Sequence, residues 1–298
     1  MDANLLNDFV ENTKNITINN VLVLKDGEKI AAYNWEPEIR QNQYSVSKSF
    51  TSSAIGIAIE EGLLTLDDTV IEFFPDEAPD NPSERLQRLK VRHLLTMSVG
   101  HAEPHLMAEQ RYTTDEMDWV RLSLSIPLDY EPGTHFLYSN VGPYLAGMII
   151  KRLTGSNLLE YLMPRLFEPL GIWLPTWETD PFGNSFGSGG LMLKVSEIAK
   201  FGQLYLQGGE WEGKQLIPRR WVEEVSKTQI LTGADSPYNA EYSYLFWKGP
   251  NGSYRADGKY GQYSIIMPDK NAVVAINSFN TGGENILDHV WEYIYPKL

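Results

Sequence analysis

The chain has no cysteine among its 298 residues. This absence excludes disulfide bonds, thiolate catalysis and cysteine-ligated zinc. No stretch reaches the roughly 20 consecutive apolar residues that a membrane-spanning helix needs. The segment after Met1 is acidic, with no basic region followed by an apolar one. We therefore expect a cytoplasmic protein, or an exported one if a leader has been removed.

Basic side chains are scarce as well: 25 lysines and arginines stand against 39 acidic residues, which gives a formal charge of −14. This excess of negative charge argues against nucleic acid or an anionic membrane as a partner. The chain is long enough for one large domain or two closely joined lobes. No internal repeat, low-complexity tract or long linker divides it.

Strand patterns lie at both ends of the chain. Residues 16–35 predict a hairpin whose turn lies at 25–28, and residues 242–247, 261–267 and 272–278 predict later strands. Helical spacing or stop signals predict helices at 47–64, 140–153, 158–167, 196–207 and 284–295. We therefore expect a sheet completed by both termini (about 1–70 and 205–298) and an inserted helical lobe (about 71–204). Active sites are favoured at such junctions.

Ser45 and Lys48 open the helix predicted after the first hairpin. Three residues apart, their side chains share one helix face. A lysine with a lowered pKa could take the serine proton and create a nucleophile. The helix N-terminus would add backbone N–H groups for the resulting oxyanion. The S-x-x-K pattern alone is expected about once by chance in a chain of this size.

Tyr138-Ser139-Asn140 precedes a long predicted helix. Tyr138 could act as a general base or proton shuttle if nearby cations stabilise its phenolate, and Asn140 could contact a substrate amide. The alternative is a helix cap formed by Ser139 or Asn140, with Tyr138 as packing.

Lys259-Tyr260-Gly261 lies just before an apolar strand. Lys259 would bring positive charge to the site and to a substrate carboxylate, and Gly261 would let a substrate approach the strand edge. The alternative is an exposed turn around residues 257–259.

In that order, the three motifs make the chain resemble the beta-lactamase-related serine hydrolases. This group includes class C beta-lactamases, low-molecular-weight penicillin-binding proteins, esterases, D-amino-acid peptidases and 6-aminohexanoate-dimer hydrolases. The resemblance covers nearly the whole chain, because residues 62–70, 91–100, 136–142, 189–191 and 198–202 also match family segments. It implies an α+β, beta-lactamase/transpeptidase-like fold with an antiparallel sheet built from both termini and flanking helices, plus an inserted, mainly helical lobe.

The resemblance also implies the roles of individual residues. Ser45 would be acylated, Lys48 would accept its proton and Tyr138 would be the general base. Asn140, Lys259, Tyr260, Gly261 and Gln262 would bind substrate, with the backbone N–H groups of Ser45 and Gln262 forming the oxyanion hole. No cofactor and no metal are implied.

Tyr260 departs from the family pattern, which usually has a small hydroxyl residue or a glycine there. This departure argues against efficient beta-lactam turnover. We also find no counterpart of the class A deacylating glutamate, which fits a tyrosine-based mechanism.

His101 and His105 are four residues apart, but Pro104 disfavours the helix that would pair them as metal ligands. We expect them to line the cleft instead.

These features predict a serine hydrolase that cleaves a small ester or amide through an acyl-serine intermediate. A beta-lactamase or D-alanyl carboxypeptidase is the second possibility. The third is a non-catalytic ligand-binding member of the fold, although such a protein would have no need for Ser45, Lys48 and Tyr138 together. In each case the expected partner is a small ester, amide or lactam.

Overall fold

The computed structural model describes residues 4–282 and 284–298. Its first part begins with a short helix and a hairpin and continues into the buried helix α2. The elements are α1 (Asn7–Asn12), β1 (Ile18–Lys25), β2 (Glu28–Asn34), β3 (Gln41–Asn42) and α2 (Val46–Glu60). The hairpin predicted at 16–35 is confirmed. Its turn uses Asp26 and Gly27, both at positive φ, as a tight antiparallel hairpin favours.

The middle of the chain is mainly helical. It contains α3 (Glu84–Gln87), α4 (Val91–Leu95), α5 (Ala108–Thr113), α6 (Trp119–Ser125), α7 (Val141–Thr154), α8 (Leu158–Leu162), β4 (Thr176–Trp177), β5 (Leu191–Leu193) and α9 (Val195–Leu206). A short 3-10 helix covers Val70–Phe73 and a π-helical turn covers Met163–Phe167. The predicted helices at 140–153 and 196–207 are confirmed within one residue at each end.

The last part returns to strands. It contains β6 (Glu210–Trp211), β7 (Lys214–Gln215), α10 (Arg219–Val225), β8 (Ile230–Leu231), β9 (Glu241–Tyr242), β10 (Trp247–Lys248), β11 (Tyr254–Gly258), β12 (Gln262–Met267), β13 (Ala272–Ser278) and α11 (Ile286–His289). The 3-10 turns Pro250–Gly252, Pro268–Lys270 and Tyr295–Lys297 and the π-helical turn Val290–Ile294 complete it.

Within the described residues, eight strands form one antiparallel sheet in the order β2-β1-β13-β12-β11-β10-β9-β8. The N-terminal strand β1 pairs directly with the C-terminal strand β13, so both ends of the chain build the same sheet. The α+β fold with a sheet completed by both termini is therefore confirmed. The lobe boundaries stay a prediction, although α9 packs on β1, β12 and β13 and so lies with the sheet.

Both faces of the central strands are covered by helices. All residues of β13 are buried. Helices α2 and α9 pack on one side of the sheet, and α1, α11 and the C-terminal turns pack on the other. Helix α2 is buried from Val46 to Ala58. The catalytic candidates at its first turn are thus carried by an element that is fixed along most of its length.

The prediction of one continuous strand at 242–247 is wrong. Its middle turns back on itself, with Leu245 at φ +62 and the Ser243 N–H donating to the Phe246 carbonyl. Two hydroxyls of α2 take the place of strand partners: Ser52 Oγ donates to the Tyr244 carbonyl at 2.7 Å, and Ser49 Oγ donates to the Leu245 carbonyl at 2.8 Å. The aromatic composition of the segment favours a strand, but tertiary hydrogen bonds decide its shape.

Candidate active site

Ser45 and Lys48 lie one helical turn apart at the start of α2. Lys48 Nζ donates to Ser45 Oγ at 2.9 Å. Tyr44, the preceding residue, has a left-handed φ of +46, and its backbone N–H donates to Asn42 Oδ1 at 2.7 Å. A bulky residue in this conformation stores backbone strain, a feature concentrated at functional sites.

Three acceptors hold the Lys48 amine. Besides Ser45 Oγ, Nζ donates to Asn140 Oδ1 at 2.8 Å and to the Ser188 carbonyl at 2.6 Å. These bonds use all three donor positions of an ammonium group. In the part of the chain that the structure describes, no carboxylate forms a salt bridge with Lys48.

Burial, followed by the positive charge of Arg111, lowers the pKa of Lys48 to about 7. The side chain is only 1% exposed, so the charged form loses most of its hydration. A lysine with this pKa can accept a proton near neutral pH, which an ordinary lysine cannot.

Tyr138 lies beside this amine. Lys48 Nζ is 5.0 Å from the centroid of its ring, which stacks on Trp247 at 5.6 Å. Burial raises the pKa of Tyr138 well above its usual value, and Asp257 adds to the rise, while the interaction with Ser45 and the charge of Arg255 oppose it. In the free protein Tyr138 is therefore a neutral phenol, and the phenolate considered from the sequence is not favoured.

Asn140 is engaged within the protein. Its Oδ1 accepts from Lys48, and its Nδ2 donates to the Leu106 carbonyl at 2.9 Å. Its backbone N–H donates to the His105 carbonyl at 3.1 Å. It occupies the N-cap position of α7, but its side chain makes no capping bond. The geometry thus gives Asn140 a role in orienting the amine.

Lys259, Tyr260 and Gly261 form the three-residue turn that joins β11 to β12. The Gly261 N–H donates to the Gly258 carbonyl at 3.0 Å, and Gly261 has φ +89. This left-handed position is typical of three-residue hairpin loops and favours glycine. Lys259 is exposed, and its amine lies 5.1 Å from the centroid of the Tyr260 ring.

The side chain of Tyr260 lies beside Tyr44, the residue that precedes Ser45. Its ring contacts Tyr44 at 4.9 Å and Phe279 at 4.6 Å between centroids. The buried side chain of Gln262 accepts from the Tyr260 N–H at 3.2 Å and donates to the Ser278 carbonyl. Among the described residues, no hydrogen bond connects Lys259 or Gln262 with Ser45 or Lys48.

Gly258, which sequence reasoning did not single out, lies against the segment that leads to Ser45. A Cβ at Gly258 would be 2.6 Å from the Gln43 carbonyl oxygen and 2.4 Å from Gln262 Oε1. Only glycine fits this approach without a shift of the backbone. The strand β11 was missed because its sequence, YRADG, contains two charged residues and ends in glycine, so it has no apolar run.

A buried ion pair on β11 was also missed. Arg255 is 3% exposed and bonds Asp257 Oδ2 at 2.8 Å, and it also donates to the Tyr238 carbonyl at 2.8 Å. Burial raises the pKa of Asp257, while Arg255 opposes that rise. The signal available in the sequence is the i, i+2 spacing of opposite charges, which places both on one strand face.

The rings of His101 and His105 are 5.0 Å apart and nearly perpendicular. Burial lowers the pKa of His101 to about 4, so this imidazole is neutral. No group of three or more potential metal-binding side chains occurs in residues 4–282 and 284–298. The His105 N–H donates to Ser139 Oγ and the His105 carbonyl accepts from the Asn140 N–H, so this loop contacts the segment that carries Asn140.

No helix in the described ranges is long and apolar enough to cross a bilayer.

The amino-acid sequence is similar to those of known hydrolases. A 6-aminohexanoate-dimer hydrolase from Paenarthrobacter ureafaciens is 25% identical over 296 residues, which cover 91% of this chain and 75% of that protein. A lovastatin esterase from Penicillium rubens is 35% identical over 152 residues, covering 43% of this chain and 37% of that protein.

The fold has clear counterparts among solved structures. A D-stereospecific amidohydrolase from a Streptomyces species superimposes with a TM-score of 0.77 over 100% of both chains, at 18% sequence identity. The family model described as Beta-lactamase matches residues 19–291, which include the whole eight-stranded sheet except Ile18, the first residue of β1. The chain therefore belongs to the beta-lactamase family.

Proposed function

We propose that this protein is a serine hydrolase that cleaves a small ester or amide through an acyl-Ser45 intermediate. The observation that carries the proposal is the Lys48 amine, fixed 2.9 Å from Ser45 Oγ with a pKa of about 7. An esterase and amide hydrolases among the relatives are consistent with either kind of bond.

In the first step, neutral Lys48 takes the proton of Ser45 Oγ while the oxygen attacks the substrate carbonyl carbon. The negative charge moves to the carbonyl oxygen. Among the described residues, the backbone N–H of Ser45 makes no hydrogen bond within the protein and is available to this oxyanion. The N-terminal end of α2 supplies a favourable partial positive charge there.

In the second step, the carbonyl re-forms, the bond to the leaving group breaks, and the leaving group takes a proton. Lys48 now carries the proton taken from Ser45, and Tyr138 lies beside it as a neutral phenol. We assign Tyr138 the relay: it donates its proton to the leaving group and regains one from Lys48. In deacylation, a water attacks the acyl carbon while its proton passes through Tyr138 to Lys48. The bond to Ser45 Oγ then breaks, and Lys48 returns the proton to this oxygen as the acid product leaves.

The turn at Lys259, Tyr260 and Gly261 forms the rim of the proposed substrate site. Exposed Lys259 would attract an anionic substrate group, and Tyr260 would shape the entrance through its contact with Tyr44. The backbone N–H of Gln262 as a second oxyanion donor stays a prediction.

The proposal is tested by intact-protein mass after brief exposure to p-nitrophenyl acetate, with Ser45→Ala as the control. We expect an acetyl adduct and a burst of nitrophenol in the wild type only. Turnover that persists in Ser45→Ala would refute the assignment. Nitrocefin, followed in the same pair, separates the alternatives: hydrolysis that depends on Ser45 would favour a beta-lactamase. Tight ligand binding without any adduct across esters, amides and lactams would favour a binding protein.

A further inference from the structure

Arg111 on α5 is a buried arginine that joins two separate segments of the helical lobe. Its side chain is 8% exposed. Nη1 donates to the Leu106 carbonyl at 2.8 Å, and Nη2 donates to Glu178 Oε1 at 3.0 Å. The guanidinium also lies 4.1 Å from the centroid of the Phe186 ring. The planar group is thus fixed on three sides.

The first of these segments, at Leu106, positions Asn140, which is one acceptor of the Lys48 amine. The Leu106 carbonyl receives Arg111 Nη1 and also the Nδ2 group of Asn140, at 2.9 Å. With Nδ2 held there, the Oδ1 atom of the same amide points to Lys48. Arg111 therefore fixes the carbonyl that orients Asn140.

The second segment, at Glu178, positions the Ser188 carbonyl, which is another acceptor of the Lys48 amine. Glu178 is bonded through its backbone to Phe186 at 2.8 Å and to Gly190 at 3.1 Å, on either side of Ser188. The Ser188 carbonyl accepts from Lys48 Nζ at 2.6 Å. By pairing with Glu178, Arg111 fixes the segment that carries this carbonyl.

Arg111 is also the charged group that acts on Lys48 together with burial. Its cationic charge disfavours a second cation nearby, and Glu178, itself partly exposed, compensates only part of it. Within the described residues, further titratable or charged groups on neighbouring elements include Tyr138, 5.0 Å from the amine, Tyr44 beside Ser45, the pair His101 and His105, and Arg255 and Asp257, which act on Tyr138.

We propose that Arg111 is a positioning residue of the active site: it aligns two of the three acceptors of Lys48, and its charge adds to burial in favouring the neutral, proton-accepting form of this amine. The inference rests on the proposed function, in which Lys48 is the base. A purely structural arginine would change stability without changing the protonation of Lys48.

Arg165 offers a matched control. It pairs with Glu61 at 2.8 Å, and its guanidinium lies 4.1 Å from the Tyr161 ring centroid, as Arg111 lies over Phe186. Glu61 follows the C-terminal end of α2, whereas Ser45 precedes its N-terminal end. Arg165→Met removes the same kinds of contact at a distance from the amine.

The experiment measures Lys48 directly and the acylation of Ser45 separately. Lysine labelled with ¹³C at the ε carbon is titrated by NMR, and the Lys48 signal is assigned by its loss in Lys48→Met. We expect Arg111→Met to raise the pKa of Lys48 by about 1 unit. We expect Arg165→Met to leave it unchanged. Acylation rates from intact mass should show the same shift of the pH profile toward higher pH.

Arg111→Lys separates the effect of the charge from that of the hydrogen-bond geometry. Lysine keeps the positive charge but lacks the planar guanidinium that donates to both Leu106 and Glu178. We expect the pKa of Lys48 to stay near the wild-type value while the plateau acylation rate falls by roughly 10- to 100-fold. This variant also decides the case if Arg111→Met does not fold. An unchanged Lys48 titration in Arg111→Met, or an unchanged plateau rate in Arg111→Lys, would overturn the inference.

Failure of the proposed function would look different. If the wild type forms no acyl adduct with any ester, the acyl-serine mechanism is wrong. The NMR titration then still decides whether Arg111 sets the protonation of Lys48.

Discussion

Replacing Lys48 with methionine tests the protonation state of the folded protein without any assay of activity. Lys48 is 1% exposed, and burial, followed by Arg111, lowers its pKa from 10.5 to about 7. In the unfolded chain the amine has its ordinary pKa again. Between these two values the unfolded state binds more protons than the folded state, so the free energy of unfolding rises with pH.

The two pKa values set the size of this effect. Because one unit corresponds to about 1.4 kcal/mol, the wild type should gain roughly 3–4 kcal/mol relative to Lys48→Met between pH 7 and pH 10. Below pH 7 both states are protonated, and the cost of the buried charge is fully present and constant. Methionine also leaves the three acceptors without their donor. That loss shifts the comparison by a constant, because none of these atoms titrates in the window.

The assay is urea unfolding of both proteins at one-unit steps from pH 7 to pH 10, with the free energy extrapolated to water. The informative quantity is the difference between the two proteins, since every other titrating group is common to them. A difference that stays constant within about 1 kcal/mol would show that Lys48 keeps an ordinary pKa in the fold. The reasoning that makes it a base would then be refuted.

Three further predictions concern the same site. The rate of Ser45 acylation should rise with pH, with an apparent pKa near that of Lys48, about 7. At pH 5 the rate should be roughly 100-fold below its plateau. A flat pH profile of acylation, measured by intact mass, would contradict this. Tyr138→Phe should lower turnover by about 10²- to 10⁴-fold while the melting temperature is kept, since it removes the relaying hydroxyl; full activity in stopped-flow assays would exclude the relay. Gly258→Ala should destabilise the protein by about 1–3 kcal/mol and slow acylation, because the new Cβ would be 2.6 Å from the Gln43 carbonyl oxygen. An unchanged melting curve and acylation rate would show that the backbone at Gln43 can move to accept the extra atom.

The predicted elements that proved correct are those with a strong periodic or apolar pattern. The hairpin at 16–35 and the strand at 272–278 have β-rich runs with clear turn residues, and α2 has helical spacing and small residues. Segments whose shape depends on distant partners were not predictable. The strand β11 is polar on one face because Arg255 and Asp257 pair there in the interior, and no local rule indicates such burial.

In the candidate site, too, residues within a local motif were predictable, whereas residues that depend on distant partners were not. Arg111 has no motif of its own, and its position becomes meaningful only when Leu106 and Glu178 are seen on either side of it. The sequence predicts a substrate-binding motif at residues 259–261, with an exposed turn as the alternative, and the structure has these residues in a turn beside Tyr44.

The pairing of Ser45 with Lys48 follows from the sequence alone, because side chains three residues apart at the start of a helix lie on one face. The strand patterns at both ends of the chain likewise indicate a sheet built from both termini. The proposed role of Lys48 as a base, by contrast, depends on the tertiary structure. Its acceptors Asn140 and Ser188 lie 92 and 140 residues further along the chain, and the charge of Arg111 comes from yet another helix. Desolvation and nearby charge set a pKa, and both depend on which distant segments the fold brings to the amine.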